Sequence, residues 1–259
     1  MPDQLTSGEL RCLLRYMPSG WRERVGSSLT SEVLAGCISH LQALLVTVST
    51  YLPRAILVNG RGVQVGRGEF RYGTALFPGV SGFSALTERF SQERGREGAE
   101  EVTLIVNRFL DEVNTVATQH SGDLLKFAGD AALSFYEGVD HAARACRAAW
   151  EMQQVMRERF ARVETSLGSF AIQMSVRLGS GLVFTASLGT LDSAEYAVMG
   201  PALATMGQAE RLAQAGQIFV DRATCELAGE SIVVVPGRGE GFSELCRAGL
   251  YSGAGGVDD

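Results

Sequence analysis

Two apolar runs, Asp123-Leu124-Leu125-Lys126-Phe127 and Ala131-Ala132-Leu133-Ser134-Phe135-Tyr136, are separated only by Ala128-Gly129-Asp130. Short apolar runs bounded by turn residues read as strands, and Gly-Asp suits a tight connection, so the segment predicts a β-hairpin. A hairpin cannot bury both of its faces alone, and the flanking sequence supplies what it lacks. Before it, Val102, Ile105, Val106, Phe109, Val113 and Val116 recur at helical spacing, which predicts a helix over residues 98–120 with one face buried. A short helix at 84–91 and an apolar run at 72–77 precede that one. After the hairpin the pattern predicts a helix over 141–162, strands near 170–177, 181–188 and 195–199, a helix at 201–213 and a strand at 217–220. The order describes an α+β fold, a ferredoxin-like βαββαβ sandwich of one sheet and its covering helices.

A chain of 259 residues holds one such domain of about 180–200 residues plus an extra segment. Residues 1–53 read as a helical N-terminal extension, with helices near 8–17 and 31–51 ended by Pro18 and Pro53. The glycine- and arginine-rich stretch 54–71 reads as a linker, since its G-R-G-V-Q-V-G lacks the G-K-[ST] of a phosphate loop. The main domain then occupies 72–250 and a tail 251–259. Residues 33–52 carry no formal charge over a length that could span a bilayer, but His40, Gln42 and several Ser and Thr residues favour a helix packed on a partner or on the following domain. The polar start of the chain lacks the basic and apolar regions of a secretion signal.

With 23 Lys+Arg against 29 Asp+Glu, a net charge of −6 and no long basic run, nothing is arranged to neutralise nucleic-acid phosphates. The five cysteines are odd in number, widely spaced and without a C-x-x-C, which fits neither a disulfide framework nor a zinc site and points to a reducing cytoplasm. His40, His120 and His141 have no ligand spacing between them.

Three blocks carry a specific resemblance. Residues 74–90 (TALFPGVSGFSALTERF) resemble the first strand and turn of class III adenylate and guanylate cyclases, F-x-D-[IV]-x-G-F-[ST], matched by Phe77, Val80, Ser81, Gly82, Phe83 and Ser84. Residues 122–131 (GDLLKFAGDA) resemble that family's hairpin, and 196–220 follow its Y-x-x-x-G-x-x-[VL]-N-x-A-x-R-[LM] block in spacing. Tyr51-Leu52-Pro53-Arg54 is similar to the segment leading into the cyclase domain of bacterial multidomain and soluble bicarbonate-responsive adenylate cyclases. The resemblance implies two Mg²⁺ ions held by two aspartates, one from the first strand and one from the hairpin, which assist attack of the ribose 3′-oxygen on the α-phosphate.

Asp130 matches the hairpin aspartate, a metal ligand, and Lys126 matches the lysine that contacts the purine base or a regulatory anion, a nucleotide-binding residue. The first-strand aspartate is replaced by Gly79. The asparagine and arginine that the family takes from the partner subunit correspond, four and eight residues beyond Gly200, to Ala204 and Gln208, and Arg211 falls three residues too late to take the arginine's place. Gly79, Ala204 and Gln208 are thus degenerate catalytic positions, and Mg²⁺ binding is expected to be weak or absent. Asp130 and Lys126 also have plainer readings, as a turn residue and a solvated or paired lysine. Ser81 reads as a turn or helix-cap residue, because Phe83 stands where a G-x-S-x-G nucleophile elbow needs glycine.

The resemblance implies a regulatory or dimerisation half in cyclic-nucleotide signalling, paired with a second cyclase domain as homodimer or heterodimer and inactive as an isolated chain. Two alternatives stand beside it: an active adenylate or guanylate cyclase, and a sensor of a nucleoside triphosphate or small anion at the Lys126 pocket.

Overall fold

The computed structural model describes residues 6–28, 30–49, 65–128, 131–190 and 193–249. These fall into two units, Met1–Leu52 and Pro53–Asp259. In the first, helices α1 (Ser7–Tyr16), α2 (Ser19–Ser27) and α3 (Ser31–Ser49) close around Met17, Val25 and Cys37, with Trp21 and Leu41 packed against them. Helix α1 starts with a capping box: the Thr6 amide donates to Glu9 Oε2 at 2.7 Å while the Glu9 amide donates to Thr6 Oγ1. Two helices were expected here and three are found. Pro18 ends α1 as anticipated but also caps the start of α2, where its fixed φ and missing amide hydrogen cost nothing. Among the described residues no helix is long and apolar enough to cross a membrane.

The second unit is built on one eight-stranded sheet. Its strands are β1 (Gly68–Ser81), β2 (Asp123–Ala128), β3 (Ala131–Glu137), β6 (Gln173–Thr190), β7 (Ser193–Met199), β8 (Ile218–Asp221), β9 (Ile232–Pro236) and β10 (Phe242–Ala248). A separate small ribbon pairs β4 (Val163–Thr165) with β5 (Gly168–Phe170). The large sheet runs β2-β3-β1-β6-β8-β10-β9, with β7 folded back on β6 and only the β6–β8 pair parallel. The strands around Leu76, Leu125 and Leu133 are neighbours, and the expected βαββαβ order is present within the larger sheet.

Helices α4 (Phe83–Gln119) and α5 (His141–Val155) cover one face. The two helices expected in α4 are continuous apart from Gly95, which adopts φ 56° and ψ −126° and breaks the helical path. Helix α5 presents Ala142, Ala145, Cys146, Ala148, Ala149 and Met152 to the sheet, small side chains that let it lie close. It is shorter than expected, since Met156–Phe160 widens into a π-type turn. The principal core between this layer and the sheet contains Phe90, Phe109, Tyr136, Phe160, Met174, Val176 and Leu178. On the other face, helix α6 (Pro201–Ala209) sets Ala202 and Met206 against Ala75, Leu125, Leu133, Phe135 and Val183.

Several boundaries differ from the sequence reading. Strand β1 begins four residues before Tyr72, because Gly68–Arg71 pair with β6. The strands anticipated at 170–177 and 181–188 are one 18-residue strand, β6, in register with β1 from Gly68↔Ala186 to Ser81↔Gln173. Glycines in the middle of such a run suggest a turn, but here a long partner strand keeps the backbone extended through Gly179 and Gly181. Helix α6 ends at Ala209 rather than 213. Helix α7 (Arg222–Ala228), β9 and β10 were not anticipated; Asp221 caps α7 by accepting from the Thr224 amide at 2.8 Å.

Candidate functional site

The end of β1, the β2–β3 hairpin and helix α6 carry the positions singled out in the sequence. The hairpin is as tight as expected: Ala128 and Ala131 are directly paired, leaving two residues, Gly129 and Asp130, to make the connection. Those two, and with them the expected metal ligand Asp130, lie outside the described residues. Lys126 is opposite Leu133, just after an irregularity between Leu124 and Lys126. Its ammonium donates to Glu195 Oε1 of β7 at 2.7 Å, and that pairing holds the Glu195 carboxyl below the usual carboxylate range. An anion reaching Lys126 has this carboxylate to displace.

Gly79 pairs with Ser175 and Phe77 with Arg177 across β1 and β6, and alternation puts all four side-chain positions on the α6 face of the sheet. A Cβ at Gly79 would lie 2.7 Å from Arg177 Nη2 and 3.4 Å from its Cζ. The guanidinium therefore fills the space that a side chain at position 79 would enter. It also lies over the Phe77 ring, 5.5 Å from the centroid, and donates from Nη2 to Ser175 Oγ at 3.2 Å. Glu210, just beyond α6, approaches Nη1 only to 3.6 Å and is itself largely exposed. Arg177 is 7 % exposed, and its Nε is buried without a hydrogen-bond partner. Burial lowers the guanidinium pKa, and Glu210 opposes that shift only in part. Sequence reading missed Arg177 because nothing local marks an arginine in an apolar strand as different from any other.

Ala204 and Gln208 are both exposed on α6, whose Ala202, Met206 and Ala209 are buried. Their spacing of four places them on one outward face, directed away from their own sheet. Ser81 ends β1, and the helix cap is Gly82, with φ 85°, so the expectation of a capping role passes to its neighbour. A left-handed residue at that corner is natural for glycine and strained for serine. The three histidines serve separate partners: His40 approaches the Tyr16 carbonyl, His120 contacts Glu151 and His141 contacts Thr74. Among the described residues, no group of three or more His, Cys, Asp or Glu could hold a metal ion.

The fold agrees with solved cyclase domains. The chain superimposes on the guanylyl cyclase Cya2 with a TM-score of 0.59 and 25% identity, over 72% of this chain and 97% of that one. The dimeric guanylyl cyclase domain of the RhoGC fusion protein from Blastocladiella emersonii gives a TM-score of 0.60 at 19% identity, over 71% of this chain and 99% of the other. By sequence, the chain is 27% identical over 250 residues to the photoactivated adenylate cyclase subunit beta of Euglena gracilis, covering 88% of this chain. The chain carries a class III nucleotidyl cyclase homology domain.

Human adenylate cyclase type 10 is 23% identical over 194 residues, 74% of this chain and 12% of that protein. The chain spans about a quarter or less of the curated relatives it matches. No family model matches it. Class III cyclases use Mg²⁺ or Mn²⁺. A divalent ion needs hard oxygen ligands. The first strand carries Gly79 where the sequence reading expects one of them, and the Arg177 guanidinium lies where a side chain at that position would enter.

Proposed function

We propose that this domain is a degenerate cyclase half, which pairs with a second cyclase domain and contributes interface and regulation to cyclic-nucleotide signalling without turning over nucleotide as an isolated chain. The observation that carries the reading is Gly79. The position that should project a bridging carboxylate carries none, and the Arg177 guanidinium occupies the space. The exposed pair Ala204 and Gln208 supports it, because neither side chain can orient a ribose and stabilise phosphate charge for a partner's site. Likeness to dimeric cyclase domains supports a second cyclase domain as the partner.

The test is cyclic-nucleotide production from ATP and from GTP, with Mg²⁺ and with Mn²⁺, by the purified chain beside Asp130→Ala. Loss of one preorganised electrostatic group typically costs roughly 10²–10³ in rate, so three absent groups place the expected turnover of both proteins at background. Turnover by the wild type that vanishes in Asp130→Ala would overturn the proposal, since Asp130 would then still be organising a working metal site.

A further inference from the structure

We propose that the cavity beside the widened end of α5 binds a small amphiphilic carboxylate, with its apolar body on Met156, Ile172 and Met174 and its carboxylate on Arg157. The site uses none of the positions that the cyclase resemblance singles out, and the proposal stands whether or not the domain turns over nucleotide.

The cavity measures about 350 Å³, towards the lower end of the roughly 300–1,000 Å³ typical of small-molecule sites. Its floor is apolar and deep, for Met156, Ile172 and Met174 are at most 5% exposed. Gln153 completes the wall. Its side-chain amide donates to the Met174 carbonyl at 2.8 Å and to the Gln217 carbonyl at 3.4 Å, so that nitrogen fixes the wall and is not offered to a ligand. The rim is formed by exposed residues with little side chain, Ala161, Ala171 and Gly216, which leave the mouth open. Such a floor gains by covering its methyl groups with hydrocarbon in place of water.

The backbone brings a charge to this mouth. Met156 and Arg157 belong to the π-type turn that follows α5. A turn of that kind gives up regular helical hydrogen bonding and occurs frequently at functional sites. Here it puts Met156 in the floor and Arg157 on the exposed edge of the same cavity. The Arg157 guanidinium lies over the Trp150 ring, 5.7 Å from its centroid, a contact that restrains an otherwise free side chain. Among the described residues Arg159 pairs with Glu112 and Arg162 with Glu164, whereas Arg157 pairs with no carboxylate. Its planar fork matches the two oxygens of a carboxylate. An apolar floor with an uncommitted guanidinium at its edge is complementary to a short hydrocarbon chain ending in an acid.

The experiment is isothermal titration of the purified full chain with decanoate, decanol and decyltrimethylammonium, each kept below the concentration at which it forms micelles. Decanoate is expected to bind about fivefold more tightly than decanol, the upper end for an exposed ion pair, and added salt should narrow that gap. Arg157→Gln should make the two equal. Arg157→Glu should reverse the order, so that decyltrimethylammonium binds more tightly than decanoate. Both substitutions are at an exposed position, and circular dichroism checks that the variants are folded. Ala171→Phe places a ring at the mouth and should weaken decanoate and decanol alike by at least roughly tenfold, because the floor is then covered from within. Ala161→Phe takes its place should that variant fold poorly.

Four results would overturn the proposal: no saturable binding of decanoate, equal affinities of the wild type for decanoate and decanol, an order of affinities unchanged in Arg157→Glu, or decanoate affinity unchanged in a folded rim variant. None of them bears on the degenerate-site proposal, which the cyclase assay decides separately.

Discussion

Two arginines lie on the same face of the sheet, on adjacent strands and towards opposite ends, and the structure treats them differently. Arg71 of β1 meets Glu137 and Asp123, and lies over the Phe135 ring at 5.2 Å. Burial alone would lower its pKa, but hydrogen bonding and charge from Glu137, with Asp123 further off, carry it above the ordinary arginine value. Arg177 of β6 is about as buried, yet among the described residues it has one distant carboxylate, and its pKa is lowered. The first is a cation paired with two carboxylates within the fold, although its Nη1 is buried without a hydrogen-bond partner. The second has Glu210 at 3.6 Å from Nη1 and an Nε buried without a hydrogen-bond partner.

The contrast can be broken by substitution, and the largest effect is expected at Arg71. Arg71→Met removes a buried guanidinium from Glu137 and Asp123, and should lower the unfolding free energy by about 1–3 kcal/mol in urea denaturation. A neutral outcome would mean that the two arginines are equivalent in the fold.

Arg177→Met should instead fall within about 1 kcal/mol of wild type, on the stabilising side if anywhere, because an apolar side chain of similar length removes an incompletely paired buried charge. A loss as large as that of Arg71→Met would make Arg177 as much a structural residue as Arg71.

The smallest effect concerns a polar group on the opposite face of β1. His141 Nδ1 lies 2.7 Å from Thr74 Oγ1, which continues to Ser180 Oγ at 2.7 Å and on to Thr224 Oγ1 at 2.8 Å, a buried chain with every member partnered. Burial and the neighbouring Arg144 lower the His141 pKa, against Asp140 and Glu137. Its folded pKa thus lies below its unfolded one, so the unfolded chain binds more protons as pH falls past the ordinary histidine value of about 6.5. Stability from this group is present above that pH and lost below it. His141→Gln should flatten the fall in urea midpoint between about pH 7 and 5, and an unchanged profile would assign the fall to other groups.

Much of this architecture was legible in the chain itself. The hairpin, the amphipathic helix over 98–120 and the three motif blocks predicted strand order and family, because each rests on local periodicity or on residue types within a short span. The glycine at position 79, where the resemblance expects a carboxylate, was legible for the same reason. Less legible were elements whose form depends on partners. The expected break between 177 and 181 disappears because β1 pairs along the whole of β6, and the short C-terminal strands β9 and β10 lack alternation clear enough to mark them.

The sequence by itself therefore determined a cyclase-type α+β domain, and which residues, Gly79, Ala204 and Gln208, stand where the family resemblance expects a carboxylate, an asparagine and an arginine, since those are residue identities at fixed spacings. Only the tertiary structure decided what occupies the empty place. The register that sets Gly79 opposite Ser175 and Phe77 opposite Arg177 brings together residues far apart in the chain. The guanidinium settles beside Gly79 because, with no Cβ there, that is room a long cationic side chain can reach, and because Phe77 and Ser175 hold it once it arrives. No local pattern encodes that meeting; it follows from strand pairing and from the volume that a glycine leaves open.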